Sequence, residues 1–313
     1  MKNKKIVFMG TPEFSVPILE MLIGEGYNIV LVVTQPDKAV GRKKEIAFSK
    51  VKEVALKQGL NIFQPEKLRK DYQPIVDLNP DLIVTAAYGQ ILPRGLLDQV
   101  KAINVHGSLL PKFRGGAPIQ YALFEGCKTT GITIMEMAYG MDSGDMIKLE
   151  ELVIDDSDNY TSLTKKLSIL GTKLLKDVLP KILDKDYTPV KQNEEEVSFA
   201  YNIKSEEEFL DFHNSCLTVI NKIRGLSQTP GAAFICNNTL FKVYKATKSD
   251  IIDNAPPGMV IETKKRLVIA CLDGNIEIDV IKQQGKKEMN IKDFLNGQSV
   301  IKKGDVLERN ENE

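Results

Sequence analysis

Apolar and polar positions divide the chain into two patterns. In the first half, short continuous apolar runs alternate with segments whose apolar residues recur at helical spacing. Residues 6–10, 28–34, 81–87 and 102–105 are such runs, with a shorter one at 61–63. Between them, residues 15–25 place Val16, Leu19, Leu22 and Ile23 on one helical face. Residues 47–58 are helical in pattern and stop at Gly59, and 72–78 are helical as well. Continuous apolar strands separated by helices are buried on both faces, which predicts a parallel sheet in a doubly wound α/β domain. Such sheets hold ligands outside the carboxyl ends of their strands.

The pattern then changes. Residues 131–137 (GITIMEM) alternate as a strand, and after a polar turn a long helical stretch runs from about 160 to 183. Residues 185–198 are polar, carry Pro189 and a run of acids, lack periodicity, and read as a linker. Ser205-Glu206-Glu207-Glu208 reads as a capping box opening a helix to about Arg224. Beyond Pro230-Gly231 come short strands at 232–236, 239–246, 258–262, 266–270 and 275–281. Asn237-Asn238 and Asp273-Gly274 are hairpin signals. Short strands at this density predict a small β-barrel, for which the OB-fold is the common template. The expected division is 1–188, a linker at 189–204, and 205–313.

Composition narrows the classes. A chain of 313 residues suits two domains. No stretch approaches the roughly 20 apolar residues of a membrane span. The opening MKNKKIVFMG has a basic head, but its apolar run is shorter than the roughly 7–15 residues of a signal-peptide core, and it reads as a first strand. Cys127, Cys216, Cys236 and Cys271 form no CxxC pair, so a reduced, cytoplasmic, metal-free protein is expected. With 42 Lys+Arg against 42 Asp+Glu there is no overall basic coat. The balance is local, however. Residues 212–304 hold 14 Lys+Arg and 8 Asp+Glu, a net +6, which leaves −6 elsewhere.

Phosphate cradles are absent from the sequence. Gly24-Glu25-Gly26 lacks the third glycine of a dinucleotide fingerprint, and nothing matches GxxxxGK[ST]. Gly10-Thr11-Pro12 follows the first strand, but Pro12 removes an N–H from that turn. Of the two histidines, His213 lies in a helix-like segment and reads as surface or packing. His106 lies at the carboxyl end of the strand 102–105, with Asn104 two residues earlier on the same side. An isolated N-x-H pair is commonly accidental. Here it runs into a Gly- and Pro-rich loop, 107–118, which lets a ligand approach backbone. A second polar turn, Met141-Asp142-Ser143-Gly144-Asp145, is either an ordinary surface turn or the source of a carboxylate, Asp142, that holds the His106 ring and stabilises its charged form.

At these residues the chain resembles a known family. Asn104-Val105-His106 with Ser108-Leu109-Leu110-Pro111, and Asp142 in a G-x-D-S/T-G-D turn, resemble the formyltransferases that use 10-formyltetrahydrofolate, in the branch acting on methionyl-tRNA. The likeness extends from Phe8-Met9-Gly10-Thr11-Pro12-Glu13-Phe14, through Val33-Thr34-Gln35-Pro36-Asp37, Gly41-Arg42, Ala87-Tyr88-Gly89 and Ile91-Leu92-Pro93, to Ala255-Pro256-Pro257-Gly258. Phe113 stands where the family often has another aromatic, and Gly116 where Ala is common. The resemblance implies a Rossmann-like formyltransferase domain followed by an OB-like barrel. It also implies transfer of a formyl group from 10-formyltetrahydrofolate to the α-amino group of methionine on initiator tRNA.

In that reaction the nucleophile is the substrate's own amine, so no Ser or Cys nucleophile is needed. The resemblance makes Asn104 and His106 donors to the developing oxyanion, His106 a proton shuttle and Asp142 its orienter. It assigns the folate walls to the loop 85–93 (Tyr88, Gly89, Ile91, Leu92) and to Ser108, Leu109, Leu110 and Pro111. Lys38, Arg42, Lys43 and Lys44 crowd one loop, which composition alone reads equally as a solvated loop; the family reading sends it into the tRNA acceptor arm with Arg42 as main contact. Among the barrel lysines, Lys245, Lys248, Lys286 and Lys287 are expected phosphate contacts, although strand lysines also blunt sheet edges. A monomer is expected from the family. Two other readings stay open: a folate-dependent enzyme acting on a sugar amine, a purine precursor or water, and a non-catalytic RNA-binding protein.

Overall fold

A computed structural model of the chain describes residues 3–40, 45–297 and 300–307. The chain divides into two compact units. One comprises Met1–Pro118, Thr129–Val153 and Thr164–Tyr201; the other comprises Ile119–Lys128, Ile154–Leu163 and Asn202–Glu313.

In the first unit the strands are β1 (Lys5–Gly10), β2 (Asn28–Val33), β3 (Lys38–Val40), β4 (Glu45–Ala47), β5 (Ile62–Phe63), β6 (Leu82–Ala86), β7 (Ala102–His106), β8 (Thr129–Glu136) and β9 (Met146–Val153). All but the small β3–β4 hairpin join one sheet in the order β5-β2-β1-β6-β7-β8-β9. Ile6, Val7, Phe8 and Met9 are wholly buried, as a central strand covered on both faces requires. Helices α1 (Val16–Gly24), α2 (Lys50–Lys57), α3 (Gln73–Val76) and α4 (Arg94–Leu97) lie between these strands. α6 (Tyr160–Leu183) follows β9 and belongs to this unit from Thr164 on, whereas α5 (Pro118–Phe124), next after β7 in the chain, belongs from Ile119 to the second unit. A Cβ on Gly171 of α6 would stand 2.9 Å from Val105 Cγ1, so glycine there lets the helix press onto β7. The Ser168 hydroxyl of the same helix donates to Phe14 O at 2.7 Å.

The sheet is mixed rather than wholly parallel. Strands β5 to β7 run parallel, but β7 pairs β8 antiparallel and β8 pairs β9 antiparallel. The short turn between β8 and β9 permits only an antiparallel return. β9 escaped the sequence pattern because it is an edge strand, half exposed along MIKLEELV, with no continuous apolar run.

The second unit holds β10 (Ala232–Cys236), β11 (Thr239–Lys248), β12 (Val260–Glu262), β13 (Leu267–Cys271), β14 (Gly274–Gln283) and β15 (Met289–Asn290), with helices α7 (Cys216–Leu226) and α8 (Ile291–Asn296). The antiparallel order is β10-β11-β14-β13-β12, with β15 beside β14. Irregular registers in β11 and β12 add twist, and the sheet curls into a small barrel-like domain. Its core stacks Phe234 on Phe241, ring centroids 5.2 Å apart, with Phe294 edge-on to Phe241. Asn237 and Asn238 have φ of +48° and +59°, the twist that a two-residue hairpin needs.

One predicted element is corrected. The predicted box does not form at Ser205: its hydroxyl donates to Glu206, the reach-back bond comes one residue earlier, from Lys204 N to Glu207, and only a short 3-10 turn opens at Ser205–Glu208. Leu210 N then donates to Ala233 O, which draws the chain out along β10. The helix starts afresh at Cys216, where the Ser215 side chain caps it. His213 therefore lies in the turn before the helix, exposed and beside Asp211.

Candidate active site

The end of β7 carries the site. Register places Asn104 opposite Thr85 on β6 and Met135 on β8, and His106 opposite Thr133. Strand alternation turns both side chains to one side. His106 is 4% exposed. Its Nε2 lies 3.0 Å from Phe113 O, and its Nδ1 lies 3.7 Å from Asp142 Oδ2, so both ring nitrogens face acceptors. Asn104 Nδ2 reaches Asp142 Oδ1 at 3.5 Å. The three residues singled out by the motif thus converge, at separations toward the long end of hydrogen bonding. Thr85 Oγ1 stands 2.9 Å from Asn104 Oδ1 and 3.0 Å from Ile103 O. It turns the Asn104 amide so that its N–H2 end faces Asp142.

Asp142 is held by groups with no motif of their own. It adopts φ +44°, a left-handed conformation that Asp tolerates better than most residues. Gly115 N donates to its Oδ2 at 2.8 Å. Gln192 Nε2 donates to Asp142 O at 2.8 Å and to Gly144 O at 2.7 Å, straddling the turn. Gln192 Oε1 in turn accepts from Arg114 Nε at 3.0 Å. Arg114, buried, forms a bidentate pair with Glu194 at 2.8 and 3.2 Å and holds that carboxyl below the usual carboxylate range. The stretch read as a linker carries these contacts. Its Val190 pairs with Met146 through two 2.8 Å hydrogen bonds. Sequence reasoning missed Gln192 because one buried Gln in a polar, aperiodic segment has no signature.

The loop after His106 folds on itself. Thr133 Oγ1 donates to Ser108 O at 2.8 Å and accepts from Leu110 N at 3.1 Å, while Ser108 Oγ donates to Lys112 O at 2.6 Å. Ser108 and Leu110 are buried; Leu109 and Pro111 are half-buried. Around 88–92, Tyr88 and Leu92 pack into the core, and Gly89 and Ile91 are exposed. Tyr88 O accepts from Thr11 Oγ1 at 2.9 Å and Gln35 Nε2 at 3.1 Å. Its buried hydroxyl has no hydrogen-bond partner among the described residues, and burial pushes the phenol up to about 12. Ala87 and Gly89, at φ +45° and +90°, both turn left-handed and leave their backbone open.

Of the basic residues, Lys38 is exposed on β3; Arg42, Lys43 and Lys44 lie outside the described residues. Lys248, Lys286 and Lys287 are exposed, and Lys245 stands 3.9 Å from Asp279. Two other basic residues of the barrel are engaged internally: Lys242 with Glu208, and Arg266 with Asp250 and Glu277. Among the described residues no group of three or more His, Cys, Asp or Glu is placed to hold a metal ion.

Residues 4–179 match the formyl transferase family and residues 202–299 match the formyl transferase C-terminal domain. A methionyl-tRNA formyltransferase of Streptococcus agalactiae is 47% identical over 298 residues, covering 94% of this chain and 95% of that protein. One from Bacillus subtilis is 45% identical over 309 residues, covering 97% of each. Among solved structures, an N-formyltransferase from Helicobacter canadensis in complex with folinic acid and dTDP-3-aminofucose superposes with a TM-score of 0.68. It is 20% identical, covering 88% of this chain and 98% of that one, a likeness of fold.

Proposed function

The chain belongs to the methionyl-tRNA formyltransferase family, and from that premise we propose how its strand-end site carries the reaction. The enzyme transfers the formyl group of 10-formyltetrahydrofolate to the α-amino group of methionyl initiator tRNA, giving N-formylmethionyl-tRNA. Bound 10-formyltetrahydrofolate supplies the formyl carbon and carries away the nitrogen it leaves. The observation that supports our assignment of roles is the convergence of Asn104 and His106 on the Asp142 carboxylate, at 3.5 and 3.7 Å.

The methionyl amine has a pKa near 8, so a usable neutral fraction exists at pH 7. As it attacks, negative charge grows on the formyl oxygen. Asn104 Nδ2, set on the Asp142 side by Thr85, donates to that oxygen, a contribution of about 2.7–4 kcal/mol for one such donor. His106 takes the proton released by the amine and returns it to the departing nitrogen, worth roughly 10²–10⁴ in rate. Asp142 orients the ring. Ala87–Ile91 backbone and the Ser108–Pro111 turn form the walls of the folate site.

Functionally, residues 1–188 form the catalytic part, 189–204 the connection and 205–313 the tRNA-binding domain. Lys38, Arg42, Lys43 and Lys44 engage the acceptor arm, and Lys245, Lys248, Lys286 and Lys287 contact phosphates. A cytoplasmic monomer is the proposed working form, since charged tRNA is used there. The assay is direct: protein, 10-formyltetrahydrofolate and methionyl initiator tRNA are incubated and the esterified amino acid is weighed by mass spectrometry. Formylmethionine is expected. Its absence, with RNA binding retained, would replace this reading with that of a binding protein.

A further inference from the structure

Two aromatic rings stand beside the site without a task in it. Phe199 and Tyr201 flank Ala200 in extended chain, so both leave one side of the backbone while Ala200 turns inward and is wholly buried. Their rings stack, centroids 5.6 Å apart and planes 5° from parallel, yet remain 44% and 56% exposed. The backbone beneath them is tied to the loop that holds Asp142. Ala200 N donates to Arg114 O at 2.8 Å and Ala117 N donates to Ala200 O at 3.0 Å. A Cβ on Gly115 would stand 2.4 Å from Ala200 O and 3.4 Å from Met141 Sδ, and Gly115 N is the group that donates to Asp142 Oδ2. Only Gly115 therefore separates the backbone under the rings from the catalytic carboxylate. Tyr139 and Met141, in the turn before Asp142, are exposed as well.

We propose that Phe199 and Tyr201 form a stacking platform for the unpaired 3′-terminal bases of the tRNA, setting the esterified methionine at His106. The proposal rests on the methionyl-tRNA reading of the site. The amino acid hangs from the terminal ribose, so the 3′-terminal bases are the part of the tRNA that must enter beside the reacting amine. Every base presents a π face, and aromatic side chains bind successive bases of a single strand in this way without reading sequence.

The chain has no tryptophan, so Phe199→Trp introduces a sole indole. Uncharged tRNA with an intact 3′ end is expected to quench its emission, and tRNA made abasic at the unpaired 3′ nucleotides to bind without quenching. The double variant Phe199→Ala/Tyr201→Ala is expected to raise KM for methionyl-tRNA roughly 5- to 150-fold, from the usual worth of one stacked base. KM for 10-formyltetrahydrofolate and the unfolding midpoint stay at their wild-type values, because both rings lie outside the core. Tyr201→Phe, which keeps the ring, is expected to recover the KM for methionyl-tRNA that Tyr201→Ala loses. Equal quenching by the abasic tRNA, or a wild-type KM for methionyl-tRNA in the double variant, would overturn the platform. The quenching measurement needs no turnover, so a wild-type enzyme that fails to formylate refutes the reading of the site and not the platform.

Discussion

Replacing Gln192 with Leu tests whether the Asp142 turn is held in place for catalysis. Leu fills a similar volume and removes the amide. Three hydrogen bonds go at once: those to Asp142 O and Gly144 O, and the one from Arg114 Nε. Each neutral bond contributes about 1 kcal/mol net and the charged one about 1.5, so Gln192→Leu is expected to lose about 3.5 kcal/mol of stability. The effect on the site follows from backbone strain. A left-handed L-residue costs about 1–2 kcal/mol, less for Asp, so an unclamped turn relaxes and carries the carboxylate away from His106. A displacement near 1 Å costs on the order of 10² in rate. Steady-state formylation with both substrates varied should show kcat down about 100-fold with KM for the folate near wild type, alongside a lower urea midpoint. A variant destabilised as expected but with kcat within twofold of wild type would refute the reasoning, because the clamp would then serve folding alone.

Two further outcomes follow from the same geometry. Gly115→Ala sets a Cβ 2.4 Å from Ala200 O at φ +125°, so the loop must shift; overpacking of this kind costs about 1–3 kcal/mol, and turnover should fall with stability because the amide serving Asp142 moves too. Urea unfolding and kcat measured together check it, and wild-type kcat would contradict it. Tyr88→Phe removes a buried hydroxyl without a hydrogen-bond partner among the described residues and should raise stability by about 1 kcal/mol near pH 8. Since the folded phenol ionises near 12 and an unfolded one near 10, its contribution is intact below pH 10 and lost as pH rises toward 12. The variant's advantage in urea midpoint should therefore widen between pH 8 and pH 11; a constant difference would count against burial as the cause.

Legibility in the sequence tracked how local each signal is. Buried strands such as β1 and β6 announce themselves as unbroken apolar runs, and Asn104 and His106 share a strand end two residues apart. The Asn237-Asn238 turn carries its own backbone requirement. What escaped was non-local. β9 is an amphipathic edge strand whose partner, β8, alone reveals it. The helix expected from Ser205 fails because Leu210 prefers the edge of β10 to another helical turn, a tertiary contact overriding a local cap. Arg114 and Gln192 meet across 78 positions of chain. No spacing rule reaches that far, and the polar run around Gln192 resembles a linker until its contacts are seen.

The central claim is that His106, which shares the Asp142 carboxylate with Asn104, moves the proton in formyl transfer. Single-turnover transfer from 10-formyltetrahydrofolate to methionyl initiator tRNA, measured for wild type and His106→Ala with both ligands bound to saturation, tests it most directly. The account predicts a rate at least about 100-fold lower in the variant, with the unfolding midpoint and both dissociation constants close to wild type. Transfer at a near-normal rate by His106→Ala would contradict it.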